Sequence, residues 1–263
     1  MPVAIHPTAI VHPDAALGEN VAVGPYAIIE EHVSIGDGCT IDAAAQIKRF
    51  TTMGANNHVH SMACVGGEPQ DLKFHGEESH LIIGDNNRIR EFSTIHRGTE
   101  GGGGVTRIGS GNLIMAYAHI AHDCQVGDNN VFSNAATLAG HVVVGNHAVM
   151  GGLSAAHQFV RIGDFAFVGG KTGVAQDVPP YTLAVGERAS LHGLNLIGLR
   201  RHGFTAEEIS GLKAAYRILW RSHKERNEAL QQVETEFGHI APVMELLRFV
   251  RESTRGTITP ERL

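Results

Sequence analysis

Large aromatic side chains are few: the chain has one tryptophan and only 6% aromatic residues. Together with 32 glycines, that scarcity suits a repetitive solenoid, in which each turn must pass a corner. Cysteine is also rare, and three thiols cannot form a closed disulfide set. Cys39 and Cys124 each lie four residues after an isoleucine, Ile35 and Ile120, where neighbouring repeats carry Val21, Ala27, Val33, Ala136 and Ala148. They read as small buried thiols of a reducing, cytoplasmic compartment. Positive charge does not dominate: the net charge is -6 and no basic run occurs, which argues against nucleic acid as a partner. No segment approaches the ~20 apolar residues of a membrane span. The first residues, MPVAIHPTAIVHPD, lack the basic-then-apolar order of a secretory signal.

What is present is a period of six. From Ile5 through Val11, Leu17 and Val23 to Val65, then from Ile83 to Ile95, then from Ile108 to Val174, an apolar or small anchor returns at every sixth position. Gly18, Gly36, Gly54, Gly84, Gly109, Gly127, Gly145 and Gly163 each follow an anchor and mark a coarser period of 18. Neither a helix nor a plain strand has such a period. Hexapeptide repeats mark a parallel β-helix, with three hexads per coil and one strand spacing, ~4.8 Å, between coils. The anchors all point inward on this reading and form one core.

Residue numbers thereby become coordinates. With the anchor before each marker glycine as position 0, Val65 and Ile95 both fall at position 12, and Ile83 and Ile108 both at position 0. The two register breaks insert 12 and 7 residues at the same segment of the coil. Insertions that map to one face of a solenoid often mark the binding face. His122, His141 and His157 fall at positions 14, 15 and 13 of three successive coils, on that segment. Gly140 and Gln158 share position 14, Asp123 shares position 15, and His96 shares position 13. The first loop contains Lys73.

The available chemistry is narrow. No Ser–His–Asp or Cys–His order is apparent. A neutral imidazole can deprotonate an alcohol, and a nearby backbone N–H such as that of Gly140 can stabilise an oxyanion. That combination is direct acyl transfer without a covalent enzyme intermediate. A rival is a zinc enzyme; trimeric β-helix carbonic anhydrases use an H-x4-H ligand pair, whereas this chain has His119-x2-His122. A third reading is a pure scaffold, in which the strip has no chemistry.

After Val174 the hexads stop. Pro179 and Pro180 open a connector, and Thr205 with Glu208 makes a capping box before a helical stripe of Ile209, Leu212, Tyr216, Leu219 and Trp220. Two more helices are expected near 224–237 and 240–253. The chain therefore divides into a β-helix over 1–185 and a connector with a small helical domain over 186–263, which caps the last coil.

AHIAHDCQVG (118–127), ATLAGHVVVG (136–145), AAHQFVRIG (155–163), GVAQDVPPY (173–181), PQDLKF (69–74), IREFSTIHRGT (89–99) and GLRRHGF (198–204) resemble the UDP-N-acetylglucosamine O-acyltransferases of lipid A biosynthesis over the whole chain. The resemblance implies a mainly β fold: a left-handed parallel β-helix followed by a small C-terminal helical domain, an exception to right-handed crossovers. It also implies a homotrimer with sites between subunits. The activity implied is transfer of a 3-hydroxyacyl chain from acyl carrier protein to the 3-hydroxyl of UDP-N-acetylglucosamine. No cofactor or metal is expected, because the donor carries its own 4′-phosphopantetheine.

By the same resemblance, His122 is the general base, Asp123 orients it and Gly140 donates to the oxyanion. Asp71, Lys73, His119, His141, His157 and Gln158 contact substrate. Asn195 and Arg201 meet the pantetheine arm or the nucleotide, and Gly170 leaves room for a long acyl chain. Two positions depart from the family pattern. His202 replaces a second arginine before the glycine, and Ile197 stands where a glutamate is usual. A 3-amino sugar acceptor remains an alternative. Arg200, Arg201, Arg217, Arg221, Lys224 and Arg226 offer a basic face to an acidic carrier protein.

Overall fold

The computed structural model describes residues 3–261. Its hexads form a left-handed parallel β-helix of triangular section. Most strands are two residues long, and each full coil gives one strand to each of three sheets, of 11, 9 and 8 strands. The period of 18 is the register itself: Leu113 pairs with Val131, His119 with Thr137 and Gln125 with Val143. Across the breaks Met53 pairs with Ile83, and Ile83 with Ile108. Both insertions are therefore looped out while the coils stay stacked. The loops span 68–79 and 97–104, and the second holds a short 3-10 turn at Glu100–Gly102.

Every anchor from Val23 to Val174 is buried. The first coil differs from the expectation that all point into a sealed core. Ile5 is 48% exposed, and Val11 and Leu17 only partly join the core. Among the described residues no other coil stacks on that side of them.

The marker glycines do not turn the corners, as composition suggested. The corners are turned three residues after most anchors, by residues at φ near +60° that are mostly not glycine, among them Tyr26, His32, Ala44, Phe50, Phe92, Tyr117, Asp123, His141 and Phe159. The marker glycines instead allow adjacent coils to touch. A Cβ on Gly36 would lie 2.6 Å from the carbonyl carbon of Gly54 in the next coil. Left-handed backbone costs roughly 1–2 kcal/mol per non-glycine residue, so the coil needs strong axial bonding. Part of it is an asparagine ladder. Asn57 Oδ1 accepts from the Asn87 backbone N–H and Nδ2 (2.8 and 3.0 Å), and Asn87 Oδ1 accepts likewise from Asn112 (2.9 and 3.0 Å). Asn112 Oδ1 then accepts from Asn130 N–H, and Asn130 Oδ1 from Ala148 N–H.

Beyond the hexads the connector is more ordered than its prolines suggest. Thr182–Val185 adds a parallel strand beside Phe167–Val168, and Ser190–Leu194 folds back antiparallel on it. Four helices follow: α1 (Leu196–Arg201), α2 (Ala206–Arg221), α3 (Arg226–Phe237) and α4 (Ala241–Glu252). The short α1 has no apolar stripe long enough to register in sequence. The Thr205–Glu208 capping box forms with both of its bonds. Leu199, Leu212, Val233, Val243 and Leu246 build a second core, while the final segment returns Ile258 to the first. None of these helices is long and apolar enough to cross a membrane.

Asn87→Ala is expected to lower stability by at least about 2 kcal/mol, because buried N–H and C=O groups on two neighbouring coils lose their partners. Chemical denaturation of the variant against wild type measures this; an unchanged midpoint would show that the ladder is dispensable.

Candidate active site

His122 and Asp123 sit at one corner, both 4% exposed. Asp123 has φ +60°, which turns its side chain back toward its neighbour. Its Oδ2 lies 2.7 Å from His122 Nδ1. The second loop supplies the rest of the cradle. Thr99 donates its backbone N–H to Asp123 Oδ1 (2.8 Å) and its hydroxyl to Oδ2 (2.6 Å), and the Asp123 N–H donates to Thr106 Oγ1 (2.7 Å). An ionised carboxylate only accepts. Nδ1 is therefore the nitrogen that donates to Asp123, and Nε2 makes no hydrogen bond among the described residues.

Gly140 lies against the face of that ring. A Cβ there would come within 2.6 Å of His122 Cε1 and 2.7 Å of Nε2, so the imidazole occupies space that only glycine leaves. Among the described residues the Gly140 N–H has no acceptor. His141 completes the group: its ring meets His122 edge-on at 5.2 Å and stacks on Phe159 at 4.4 Å, with Nε2 3.8 Å from Asp123 Oδ2. Burial lowers the His141 pKa, against the pull of Asp123.

Below this group stand His119 and His96, in edge-on contact at 4.8 Å. His119 Nδ1 bonds Thr94 Oγ1 at 2.7 Å, and burial followed by the proximity of His122 lowers its pKa. His96 is pushed down to about 4, by burial first and then by His119, His122 and Arg97. In front of the strip opens a cleft of about 680 Å³, lined by Asp71, Lys73 and His75 of the first loop, Thr99 and Glu100 of the second, and His141 and Phe159 of the coils.

The remaining predicted residues stand outside this group, His157 and Gln158 on the same edge and the others on different ones. His157 and Gln158 are exposed, and His157 Nδ1 faces Arg255 Nη2 at 3.0 Å and not the other histidines. Asn195 caps α1, accepting from Gly198 N–H and donating to the Phe165 carbonyl, both at 3.0 Å. With Arg201 and His202 it lines a separate, largely apolar cleft of about 660 Å³ beside His147 and Phe165, at coil position 3. Gly170 is exposed at position 8, where a Cβ would meet only the Gly152 carbonyl oxygen, at 3.3 Å. One chain thus carries these groups on three different edges of the prism.

Thr99 and Thr106 were not singled out in sequence. They belong to the inserted loop and its exit strand, where counting by hexads stops. As for metal, His122, Asp123 and His141 have ligand atoms within 4.8 Å of one another. This set differs from the three imidazoles of the sequence-based zinc reading, and its carboxylate is already engaged by Thr99 and His122.

Comparison with known proteins bears on this geometry. Residues 177–258 match the family model for UDP-N-acetylglucosamine O-acyltransferase, domain 2, and residues 106–140 match the bacterial transferase hexapeptide repeat. The chain is 53% identical over 253 residues to an acyl-[acyl-carrier-protein]–UDP-N-acetylglucosamine O-acyltransferase of Sulfurovum sp., covering 96% of each. It is 50% identical to the protein of the same name from Syntrophobacter fumaroxidans, covering 97% of this chain and 99% of that one. The solved structure of LpxA from Acinetobacter baumannii superposes with a TM-score of 0.94 at 41% identity, covering 97% and 99%.

His96 makes stability depend on pH. Its folded pKa of about 4 lies below the ~6.5 of an unfolded histidine. The unfolded state therefore binds more protons between these values, and stability falls as pH drops from ~6.5 to ~4. Denaturation across this window is expected to give a shallower acid loss in His96→Gln than in wild type; equal slopes would remove His96 as the source.

Proposed function

The chain belongs to the UDP-N-acetylglucosamine O-acyltransferase family, and from that premise we propose that it moves a 3-hydroxyacyl chain from acyl carrier protein to the 3-hydroxyl of UDP-N-acetylglucosamine in lipid A biosynthesis. The observation that carries this reading is the buried Thr99–Asp123–His122 relay, which leaves His122 Nε2 free and beside Gly140. Nε2 takes the proton of the sugar hydroxyl as its oxygen attacks the thioester carbonyl. The oxyanion of the tetrahedral intermediate accepts from the Gly140 N–H. Its collapse breaks the C–S bond, and the imidazolium returns its proton to the leaving thiol. Asp123, held by Thr99, stabilises the imidazolium between the two transfers. The thioester arrives on the donor's own phosphopantetheine, so the enzyme needs no cofactor.

Asp71 and Lys73 border the cleft in which the sugar nucleotide lies, with His119, His141, His157 and Gln158 along the strip. Gly170, in open space, leaves a path for a long acyl chain. Asn195 and Arg201 act on the donor arm or the nucleotide. Exposed Arg200, Arg201, Arg217 and Arg221, which form no ion pairs among the described residues, face the acidic carrier.

Because these groups lie on different edges of one prism, the complete site needs neighbouring chains. A homotrimer is supported by an apolar ridge at coil position 9. Tyr26 (68% exposed), Met62 (55%), Phe92 (45%), Tyr117 (62%) and Leu153 (61%) rise along one edge, with Ala44 and Ala135 between them. Phe92 and Tyr117 stack at 5.1 Å. So continuous an exposed apolar strip marks a protein interface.

Two outcomes test this reading. His122→Ala is expected to lower turnover at least ~10²-fold with the oligomer intact; near-normal transfer from acyl carrier protein would sink the general-base role. Met62→Lys with Tyr117→Lys is expected to give monomers by light scattering, with loss of activity. An active monomer would show that one chain holds the whole site.

A further inference from the structure

A second cluster lies on the coils that precede this site and plays no part in the proposed reaction. Asp42, His58 and His60 have ligand atoms within 4.8 Å of one another. His58 and His60 form a His-x-His pair, and alternate residues of an extended segment share a face. Asp42 occupies coil position 7 directly beneath His60, one coil down. Asp42 Oδ2 is 2.9 Å from His58 Nε2 and 3.5 Å from His60 Nδ1, and the two rings stack at 3.8 Å. His58 thus bonds the Asp42 carboxylate, and His60 Nδ1 stands within ion-pair distance of the same oxygen. All three side chains are half-buried, with 19–38% of their surface exposed.

We propose that Asp42, His58 and His60 form a binding site for a divalent transition metal, zinc being the best fit, that clips adjacent coils of the β-helix. Zinc bonds of about 2.0–2.2 Å to nitrogen and oxygen place tetrahedral ligand atoms roughly 3.3–3.5 Å apart. The His60 separation already meets that span, and the His58 nitrogen needs to retreat by only a few tenths of an ångström. Two imidazoles and a carboxylate are a donor set that suits zinc and excludes magnesium or calcium as preferred ions.

The fourth position faces the next coil, where Glu91 Oε1 lies 3.8 Å from His60 Nδ1. Of the nearby cations, Arg88 is the register partner of His58 on the next coil, and Arg90 is held by Glu91 through two bonds of 2.9 and 3.0 Å. A water or a reoriented Glu91 completes the tetrahedron. The three ligands come from two successive coils that precede the first inserted loop, so the ion ties those two coils together just before the loop leaves the stack. The sequence expectation of no metal passed this site over, because it rested on the histidine strip alone.

The test uses the full-length protein, stripped with EDTA and dialysed against buffered ZnCl₂. Near one equivalent of zinc per chain is expected after desalting, together with a raised thermal midpoint. His58→Ala and Asp42→Asn are each expected to weaken zinc binding at least tenfold and to abolish the rise in midpoint, while acyl transfer stays at wild-type level. His122→Ala is expected to retain the zinc. If zinc is absent from wild type, or is retained by the His58 and Asp42 variants and lost from His122→Ala, the proposal is overturned. Light scattering and circular dichroism of each variant separate lost binding from lost folding.

Discussion

Backbone hydrogen bonding between stacked coils is the constraint on which everything else depends. A strand of two residues buries almost nothing by itself and forms no stable pair in isolation. It becomes stable here because each one pairs above and below in strict register, Leu113 on Val131 and Val131 on Val149. The coil spacing that results is too tight for a side chain at the marker glycines, and it stacks Asn57, Asn87, Asn112 and Asn130 so that each satisfies the next. Regularity is therefore both the source of stability and the reason single positions are intolerant of change.

The same regularity delivers the site. Once the outward positions of each coil align, histidines placed far apart in sequence become neighbours, and His122 and His141 meet edge to face. The scaffold holds Asp123 in a left-handed backbone conformation, a geometry that recurs at nearly every corner. It is architecture that function uses, and no special strain at the site needs to be invoked. What distinguishes this corner is the inserted loop, which brings Thr99 onto the carboxylate. The orientation of the imidazole follows from that contact.

Legibility in sequence varied with periodicity. Hexads located the anchors, the coil register, the places where both loops leave and the strip that includes His122, Gly140 and His141, because a repeat converts residue number into position. The apolar ridge of Tyr26, Met62, Phe92, Tyr117 and Leu153 obeys the same count and was available to it. Wherever the count lapses, so does the reading. Thr99 lies in an insertion, α1 is too short to show a stripe, and the strand Thr182–Val185 follows two prolines that suggest irregular chain. The role of the marker glycines was misread for another reason: composition reports that glycine is present but not whether it supplies a positive φ or an absent Cβ.

By itself, then, the sequence determined the β-helix, its register and the edge that carries the histidines, since a six-residue apolar period has one good way to bury its anchors. The tertiary structure decided which nitrogen of His122 is free, why residue 140 must be glycine, and that His157, Gly170 and Asn195 stand apart from His122 within one chain. Those are matters of distance and direction between side chains. They depend on how loops fold over coils and on how the last segment returns to the core, and no period in the sequence encodes either.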